Sequence, residues 1–237
     1  METKISSAKK EVIVSDGGPT ILIGERINPT AKAIEIIMSV VDVPLCIDIN
    51  NPAALKAALT VYEGKPIVNS VSGEERSLSE ILPFAKEYGA AVIGMALDDS
   101  GIPKEAERRV EVANKIIERA ESLGISREDI IIDCLALAVS SDDRAGFVTL
   151  QAIRMVKEQL GVNQTLGASN ISFGLPDRPL VNKAFLSLAI EAGVTCPTVD
   201  AAQVRATVMA TDLILGRDRF AQRYIKDYRQ RQGNSAG

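Results

Sequence analysis

The chain has 237 residues, a formal net charge of −4 and no histidine. Because this acidic balance leaves no basic stripe to neutralise phosphates, we exclude nucleic acid as a partner. The lack of histidine excludes imidazole-centred catalytic sites and leaves the chain without an imidazole ligand for haem or cobalt.

Predicted strands and helices alternate along the chain. The Asp16-Gly-Gly turn predicts an N-terminal hairpin between strands at 11–14 and 20–24. Further strands are predicted at 43–51, 66–70, 90–97 and 129–133, from Leu166, and at 194–200. Helices are predicted at 31–41, 53–62, 74–88, 104–123, 143–160, 178–192 and 202–215, and from 217 into a charged end.

The strands after the hairpin are continuous apolar runs, a pattern typical of parallel sheets that are covered on both faces. The fold class is therefore α/β. We predict one domain at 11–225, between a flexible tail at 1–10 and a polar tail at 226–237. Polar groups at nearly every strand end favour a closed TIM-type (β/α)8 barrel over an open sheet.

These polar groups mark the edge of the sheet where a ligand is expected. They are Glu25 and Asn28, Asp48 and Asn50, Asn69 and Ser70, Asp98, Asp133, Asn170 and Ser172, and Asp200. Asp, Asn and Ser at such turns often cap the next helix. Caps alone do not explain Asp48, Asp133 and Asn170, which stand directly at the ends of apolar runs, so the set predicts a ligand site.

The chemistry of this edge narrows the class of ligand. No Gly-x-Gly-x-x-Gly or Gly-Lys-Ser/Thr loop is present, and Arg26 is the one basic residue at the predicted strand ends. The sequence therefore predicts no phosphate-binding loop. A carboxylate accepts two parallel N–H bonds from an aminopyrimidinone ring, and an Asn amide both donates and accepts. The edge suits such a heterocycle or a metal, although magnesium usually works beside a phosphate.

Two motifs carry a resemblance to a known family. At Gly24-Glu-Arg-Ile-Asn-Pro-Thr30 and Gly167-Ala-Ser-Asn-Ile-Ser-Phe-Gly-Leu-Pro-Asp-Arg178 the chain resembles the methyltetrahydrofolate:corrinoid protein methyltransferases. These are pterin-binding barrels related to the folate domain of cobalamin-dependent methionine synthase and, more distantly, to dihydropteroate synthase. The resemblance covers about residues 12–225 and includes Leu45-Cys-Ile-Asp48, Ile67-Val-Asn69-Ser70, Gly101-Ile-Pro103, Ile131-Ile-Asp133 and Arg178-Pro-Leu-Val-Asn182.

The resemblance implies the roles of the site residues. Asp48, Asn69 and Asp133 match the residues that hold the pterin ring, and Asn170 matches the Asn that hydrogen-bonds near the methyl-bearing nitrogen N5. Asn170 is thus the expected catalytic residue, as a stabiliser and relay. Glu25, Asn28, Ser172 and Arg178 are expected to surround these four.

The resemblance also implies the substrates. The methyl group of methyltetrahydrofolate, or of a related methylpterin, would pass to cobalt(I) of a corrinoid that a partner protein carries. This chain would bind no metal itself, and it would form a homodimer. Cys46, Cys134 and Cys196 are far apart and indicate free thiols in a reducing compartment, hence the cytoplasm. No apolar stretch is long enough for a membrane span.

One departure from the family concerns closure of the barrel. Only residues 29–42 separate the Gly-Glu-Arg-Ile-Asn strand from the Cys-Ile-Asp strand, so about one βα unit is missing. About seven strands remain in the barrel series, and we predict an incomplete barrel with an N-terminal hairpin. The barrel is gapped or distorted, a partner chain fills it, or the chain is a truncated non-catalytic paralogue that binds a corrinoid protein or a pterin. A dihydropteroate synthase-like enzyme is the weaker alternative, because no basic loop is seen for its pyrophosphate.

Overall fold

The computed structural model describes residues 12–15, 18–23 and 31–234. Within these residues, the strands β1–β8 are Val12–Ser15, Gly18–Ile23, Leu45–Asp48, Ile67–Ser72, Ala91–Met95, Ile130–Asp133, Asn163–Thr165 and Thr198–Val199. The helices α1–α8 are Ala31–Met38, Pro52–Val61, Glu75–Glu87, Ala106–Ser122, Ala145–Gln159, Arg178–Ala192, Ala201–Ile214 and Gln222–Asn234. Short 3-10 helices lie at Arg127–Asp129, Ala168–Ser172 and Arg219–Ala221.

The strands form one sheet in the order β7-β6-β5-β4-β3-β2-β1-β8. Neighbouring strands from β2 to β7 are parallel, as their continuous apolar sequences predict. A single parallel bridge, Gly167 to Thr198, joins β8 to the segment after β7. The described residues thus provide the seven parallel strands that the sequence predicts, in a barrel that is not closed by a regular ladder.

The N-terminal hairpin explains how the fold accommodates the missing unit. Strand β2 pairs directly with β3, from Ile21 opposite Leu45 to Ile23 opposite Ile47, so no gap remains between them. Strand β1 lies on the other side of β2 and is antiparallel to both β2 and β8. One arm of the hairpin therefore occupies an eighth position in the sheet, with the opposite direction from its neighbours.

Two predicted strands needed correction. The strand expected from Leu166 lies earlier, at Asn163–Thr165, and the Gly-Ala-Ser-Asn run after it forms the 3-10 helix Ala168–Ser172. Gly, Ala and Asn are poor strand formers, so the chain leaves the strand after Thr165. The strand expected at 194–200 is only Thr198–Val199, because Pro197 has no N–H for a ladder.

The predicted helices agree with the structure more closely. Helices α2 to α7 begin and end within two residues of their predicted bounds, whereas α1 ends three residues early, at Met38. Helix α8 reaches Asn234 and so covers much of the segment predicted as a polar tail. In the described part of the chain, none of the helices combines the length and hydrophobicity that crossing a membrane requires.

The strands separate two apolar layers. Leu45, Ile47, Val68, Val92, Ile130 and Ile132 belong to the large core between the sheet and the helices. The residues between them in sequence form a smaller cluster on the other face of the sheet, with members Cys46, Ile67, Ile93, Ile131 and Cys196. Because successive strand residues point to opposite faces, this inner cluster lies inside the curved sheet and the helices lie outside it.

Candidate functional site

A layer of polar side chains lies directly beyond the inner cluster. Asp48, Asn69 and Asp133 each stand two residues after an inner-cluster member, namely Cys46, Ile67 and Ile131. Side chains two apart on a strand share a face, so the three polar groups point to the inside of the sheet at its carboxyl edge. The structure thus brings three of the four predicted ligand-binding residues to one face.

Asp48 and Asn69 are neighbours across the β3–β4 pair. Their Cα atoms are paired in the parallel register, and adjacent strands are about 4.8 Å apart. The Ile49 N–H donates to the Asn69 carbonyl at 3.3 Å, which ties the end of β3 to β4. Both side chains are partly buried, so each can reach a ligand without losing all of its exposure.

Helix capping is carried out by other residues. Asn51 Oδ1 accepts from the Ala53 and Ala54 N–H groups at 3.0 and 3.1 Å and so caps α2. Asp200 caps α7 through the Ala202 N–H at 3.0 Å. Asp98 accepts from Ser100 N–H and from Arg108. Capping therefore accounts for Asp200, and local contacts account for Asp98, but Asp48 and Asp133 are not caps.

Asp133 ends β6, and the pKa of its carboxyl group is shifted. Burial raises the pKa of Asp133 to about 6, although the Leu135 N–H and the Arg109 guanidinium act in the opposite direction. The Leu135 N–H donates to Asp133 Oδ1 at 2.7 Å. This bond fixes one carboxylate oxygen and leaves the other as an acceptor for a ligand.

The polar layer continues onto β7 and β8 through residues that the sequence analysis missed. Thr165 is paired in register with Asp133, and its Oγ1 lies 3.2 Å from Thr198 Oγ1. Met95, opposite Asp133 on β5, is partly buried and is the apolar member of the layer. The sequence signal is a threonine within each strand, whereas the predicted site residues stand at strand ends.

Asn170 occupies a different environment from the other three residues. It lies in the 3-10 helix Ala168–Ser172, beyond β7, and its side chain is exposed. Its N–H donates to the Gly167 carbonyl at 3.1 Å, and its own carbonyl accepts from Phe173 N–H at 3.2 Å. A Cβ atom on Gly167 would lie 3.0 Å from Asn170 Nδ2. The absence of a side chain at Gly167 therefore leaves room for the amide of Asn170.

Arg178 holds this loop from the first turn of α6. Its Nε donates to Ser172 Oγ at 3.0 Å and its Nη2 donates to the Ser169 carbonyl at 2.9 Å. The guanidinium also stacks on the exposed ring of Phe173, 4.5 Å from the ring centroid. Ser172 and Arg178 thus lie next to Asn170 in the same loop region. Glu25 and Asn28 lie outside the described residues.

A large groove of about 1130 Å³ lies elsewhere in the described structure. It is lined by residues that precede β6, β7 and β8, together with α7, and includes Arg127, Lys157, Val194, Val204 and Arg205. These segments enter the strands at their amino ends, opposite the polar layer. The groove is therefore separate from the candidate site.

Sequence relatives and solved structures match this chain over most of its length. The profile of the family "Pterin binding enzyme" matches residues 24–200. A methylcorrinoid:tetrahydrofolate methyltransferase from Eubacterium limosum is 32% identical over 203 residues, which cover 83% of this chain and 74% of that protein. Methionine synthase from Mycobacterium leprae is 33% identical over 174 residues, 68% of this chain but only 14% of that much longer protein.

The fold is shared with dihydropteroate synthases. The enzyme from Yersinia pestis, solved with a pterine-sulfa conjugate, has a TM-score of 0.68 at 16% identity, over 84% of this chain and 83% of that one. The enzyme from Stenotrophomonas maltophilia has a TM-score of 0.65 at 18% identity, over 83% and 81% of the two chains. At these identities the likeness establishes the fold alone. The family match over residues 24–200, which covers more than half of the chain, shows that the chain belongs to the pterin binding enzyme family.

Proposed function

We propose that this protein is a methyltransferase that moves the N5 methyl group of methyltetrahydrofolate, or of a related methylpterin, to cobalt(I) of a corrinoid protein. The observation that carries the proposal is the layer formed by Asp48, Asn69 and Asp133 on one face of the sheet. The named activity of the Eubacterium limosum relative supports it, since that protein acts on a methylcorrinoid and tetrahydrofolate.

The polar layer matches the edge of a pterin ring. The 2-amino group and ring N–H of an aminopyrimidinone form two parallel bonds to one carboxylate, and we assign this role to Asp133. Its Oδ1 has a second lone pair beside the bond from Leu135, and its other oxygen accepts no hydrogen bond from the described residues. Asp48 and Asn69 lie on adjacent strands and together offer donors and acceptors to the other ring N–H and carbonyl groups. Met95 supplies apolar surface in the same layer.

Methyl transfer requires help at N5. Without a proton, N5 would keep the electron pair of the broken N–CH3 bond and leave as an unstable amide anion, so N5 must gain a proton or a strong hydrogen bond by the transition state. The exposed Asn170 amide can donate such a bond but cannot be the final proton source. We therefore assign Asn170 the role of stabiliser and relay, with the proton supplied by Asp48 or water.

The corrinoid is the second substrate, carried by a partner protein. Asn170, Phe173 and Arg178 lie at the open end of the sheet, where the methyl group must leave the pterin. The relative's name describes transfer from the corrinoid to tetrahydrofolate, which is the reverse direction. One site accelerates both directions by microscopic reversibility, so the equilibrium constant and the concentrations of substrates and products together set the net direction. A homodimer stays a prediction.

The second candidate is a paralogue that binds a pterin without turnover. The observation that favours it is β1, an antiparallel strand in a barrel that otherwise consists of parallel strands. The two candidates agree on pterin binding and differ on methyl transfer.

One experiment separates the two candidates. Binding of methyltetrahydrofolate is measured by isothermal titration, and formation of methylcobalamin from free cob(I)alamin is followed by absorbance without oxygen. The methyltransferase binds and turns over, and Asn170→Ala slows turnover far more than it weakens binding, while Asn114→Ala on the surface of α4 changes neither. Binding without turnover selects the paralogue. No binding by a folded chain rejects both.

A further inference from the structure

Arg109 is a buried guanidinium close to the polar layer. It lies in α4 and is only 1% exposed, on the same helical stripe as Ala113 and Ile116. A buried charge is costly unless its donors are satisfied. Within the described residues, no carboxylate forms an ion pair with it, so its hydrogen bonds to neutral oxygens hold it in place.

The hydrogen bonds of Arg109 converge on the segment that follows β6. The two N–H groups of Nη1 face three acceptors, the Cys134 carbonyl at 2.8 Å, the Leu135 carbonyl at 2.9 Å and Thr149 Oγ1 at 3.1 Å, so one N–H is shared. Nε donates to the Pro103 carbonyl at 2.9 Å, which anchors the other side of the guanidinium. The guanidinium therefore links α4 and α5 to the two residues directly after Asp133.

Leu135 connects Arg109 to the Asp133 carboxylate. Its φ of 62° is in the left-handed region, which costs a residue with a side chain about 1–2 kcal/mol. Its carbonyl accepts from Arg109 and from Thr149 Oγ1, at 2.9 and 3.0 Å, and its N–H donates to Asp133 Oδ1 at 2.7 Å. The two donors to the carbonyl thus stabilise the conformation that aims the N–H at Asp133.

We propose that Arg109 is a positioning residue for pterin recognition, which orients the Asp133 carboxylate through Leu135 and places a positive charge near that carboxylate. The inference rests on the proposed function, because it assigns Asp133 to the pterin. It goes beyond that function because it assigns the orientation of a ligand-binding carboxylate to Arg109, a residue that does not contact the ligand.

The charges around Asp133 support the second part of the inference. Burial raises the pKa of Asp133 to about 6, and the Arg109 charge lowers it. Two other titratable groups bear on this pair, the buried Cys134 thiol, whose pKa burial raises, and Asp142, which acts on Arg109. The register partners of Asp133 on β5 and β7 are Met95 and Thr165, which carry no charge. Arg109 is thus the one cation that lowers this pKa among the described residues.

The test compares three variants with the wild type. Methyltetrahydrofolate binding is titrated calorimetrically from about pH 5 to pH 8, and the Asp133 carboxyl is titrated by 13C NMR without ligand. Arg109→Met removes the charge, so both midpoints move up, by on the order of one pH unit. Arg109→Lys keeps the charge and holds the midpoints near those of the wild type, but binding weakens about tenfold at pH 8, because an ammonium cannot reproduce the planar set of donors. Thr149→Val weakens binding by a few-fold and leaves the midpoints unchanged.

The outcomes separate this inference from the proposed function. If the wild type does not bind the methylpterin, the proposed function fails, while the NMR midpoint still tests the electrostatic role of Arg109. If the wild type binds and Arg109→Lys has the same affinity at pH 8, the positioning role is wrong. An unchanged Asp133 midpoint in Arg109→Met contradicts the electrostatic role. If Arg109→Met does not fold, Arg109→Lys and Thr149→Val still decide the positioning role.

Discussion

Replacing Asp133 with Asn should stabilise the protein and weaken pterin binding at the same time. Burial raises the pKa of Asp133 from 3.8 to about 6, so ionising this group is harder in the folded chain than in the unfolded chain. The carboxyl group therefore contributes its full stability below about pH 4, and this is lost as the pH rises through 6. Each pKa unit corresponds to about 1.4 kcal/mol, so at pH 7 the ionised group costs up to about 3 kcal/mol of folding free energy.

Asn removes this cost but keeps an oxygen that can accept from the Leu135 N–H, a bond of 2.7 Å in the wild type. Asp133→Asn should thus raise the free energy of unfolding by about 2–3 kcal/mol at pH 7, and by only about 1 kcal/mol at pH 4.5, where the folded wild type is protonated. The variant also loses one charged hydrogen bond to the pterin, worth about 1.5–3 kcal/mol. The Kd should increase about 10- to 150-fold.

Urea unfolding at the two pH values measures the stability change, and calorimetric titration of methyltetrahydrofolate at pH 7 measures the binding change. Asp129→Asn is the matched control, since Asp129 pairs with Lys65 at 2.5 Å and precedes β6 at the opposite edge of the sheet. A variant at Asp133 that is less stable than the wild type at pH 7, or that binds the methylpterin with equal affinity, would falsify the reasoning.

Four further substitutions test other contacts of the site. Gly167→Ala should slow methyl transfer with little loss of pterin affinity, because the new Cβ would meet Asn170 Nδ2 at 3.0 Å; single-turnover rates and titration calorimetry separate the two effects. Arg178→Met should lower the turnover rate at least several-fold, because it removes the hydrogen bonds that hold the loop at Ser169 and Ser172. An unchanged rate would show that these hydrogen bonds are dispensable for turnover. Thr198→Val should cost about 1 kcal/mol of unfolding free energy in urea, because it removes the hydrogen bond to Thr165. Asn51→Ala should lose about 1 kcal/mol of stability through its cap while methylpterin affinity stays unchanged, and a clear loss of affinity would mean that Asn51 contacts the ligand.

Helices and parallel strands were predictable because their signals are local. The apolar stripe of Val110, Ala113 and Ile116 indicates α4, and Gly89 directly follows the last residues of α3. Asp48 and Asp133 were identified as the residues that follow buried strands, and the structure places both at the carboxyl edge. Local pattern therefore identified the elements and much of the polar layer.

Features that depend on contacts between distant segments were not predictable. In the sequence, Arg109 resembles an ordinary surface arginine next to Arg108. The one local sign of its burial is that it lies four and seven residues before Ala113 and Ile116, which face the core. Strand β1 lies between β2 and β8, two strands that are far apart in the sequence. This position depends on the missing βα unit, and no local pattern in residues 12–15 predicts it. The early end of β7 depends on the turn at Gly167, where a 3-10 helix replaces the expected strand.

The most direct test of the account is methyl transfer by the intact chain. Mixing it with methyltetrahydrofolate and free cob(I)alamin, in the absence of oxygen, should convert the cobalt(I) absorbance to that of methylcobalamin at a rate proportional to protein concentration. Asn170→Ala should lower that rate by at least tenfold while methyltetrahydrofolate still binds, because the variant loses the hydrogen bond that stabilises N5 in the transition state. A wild-type chain that binds methyltetrahydrofolate but leaves cob(I)alamin unmethylated would contradict the account.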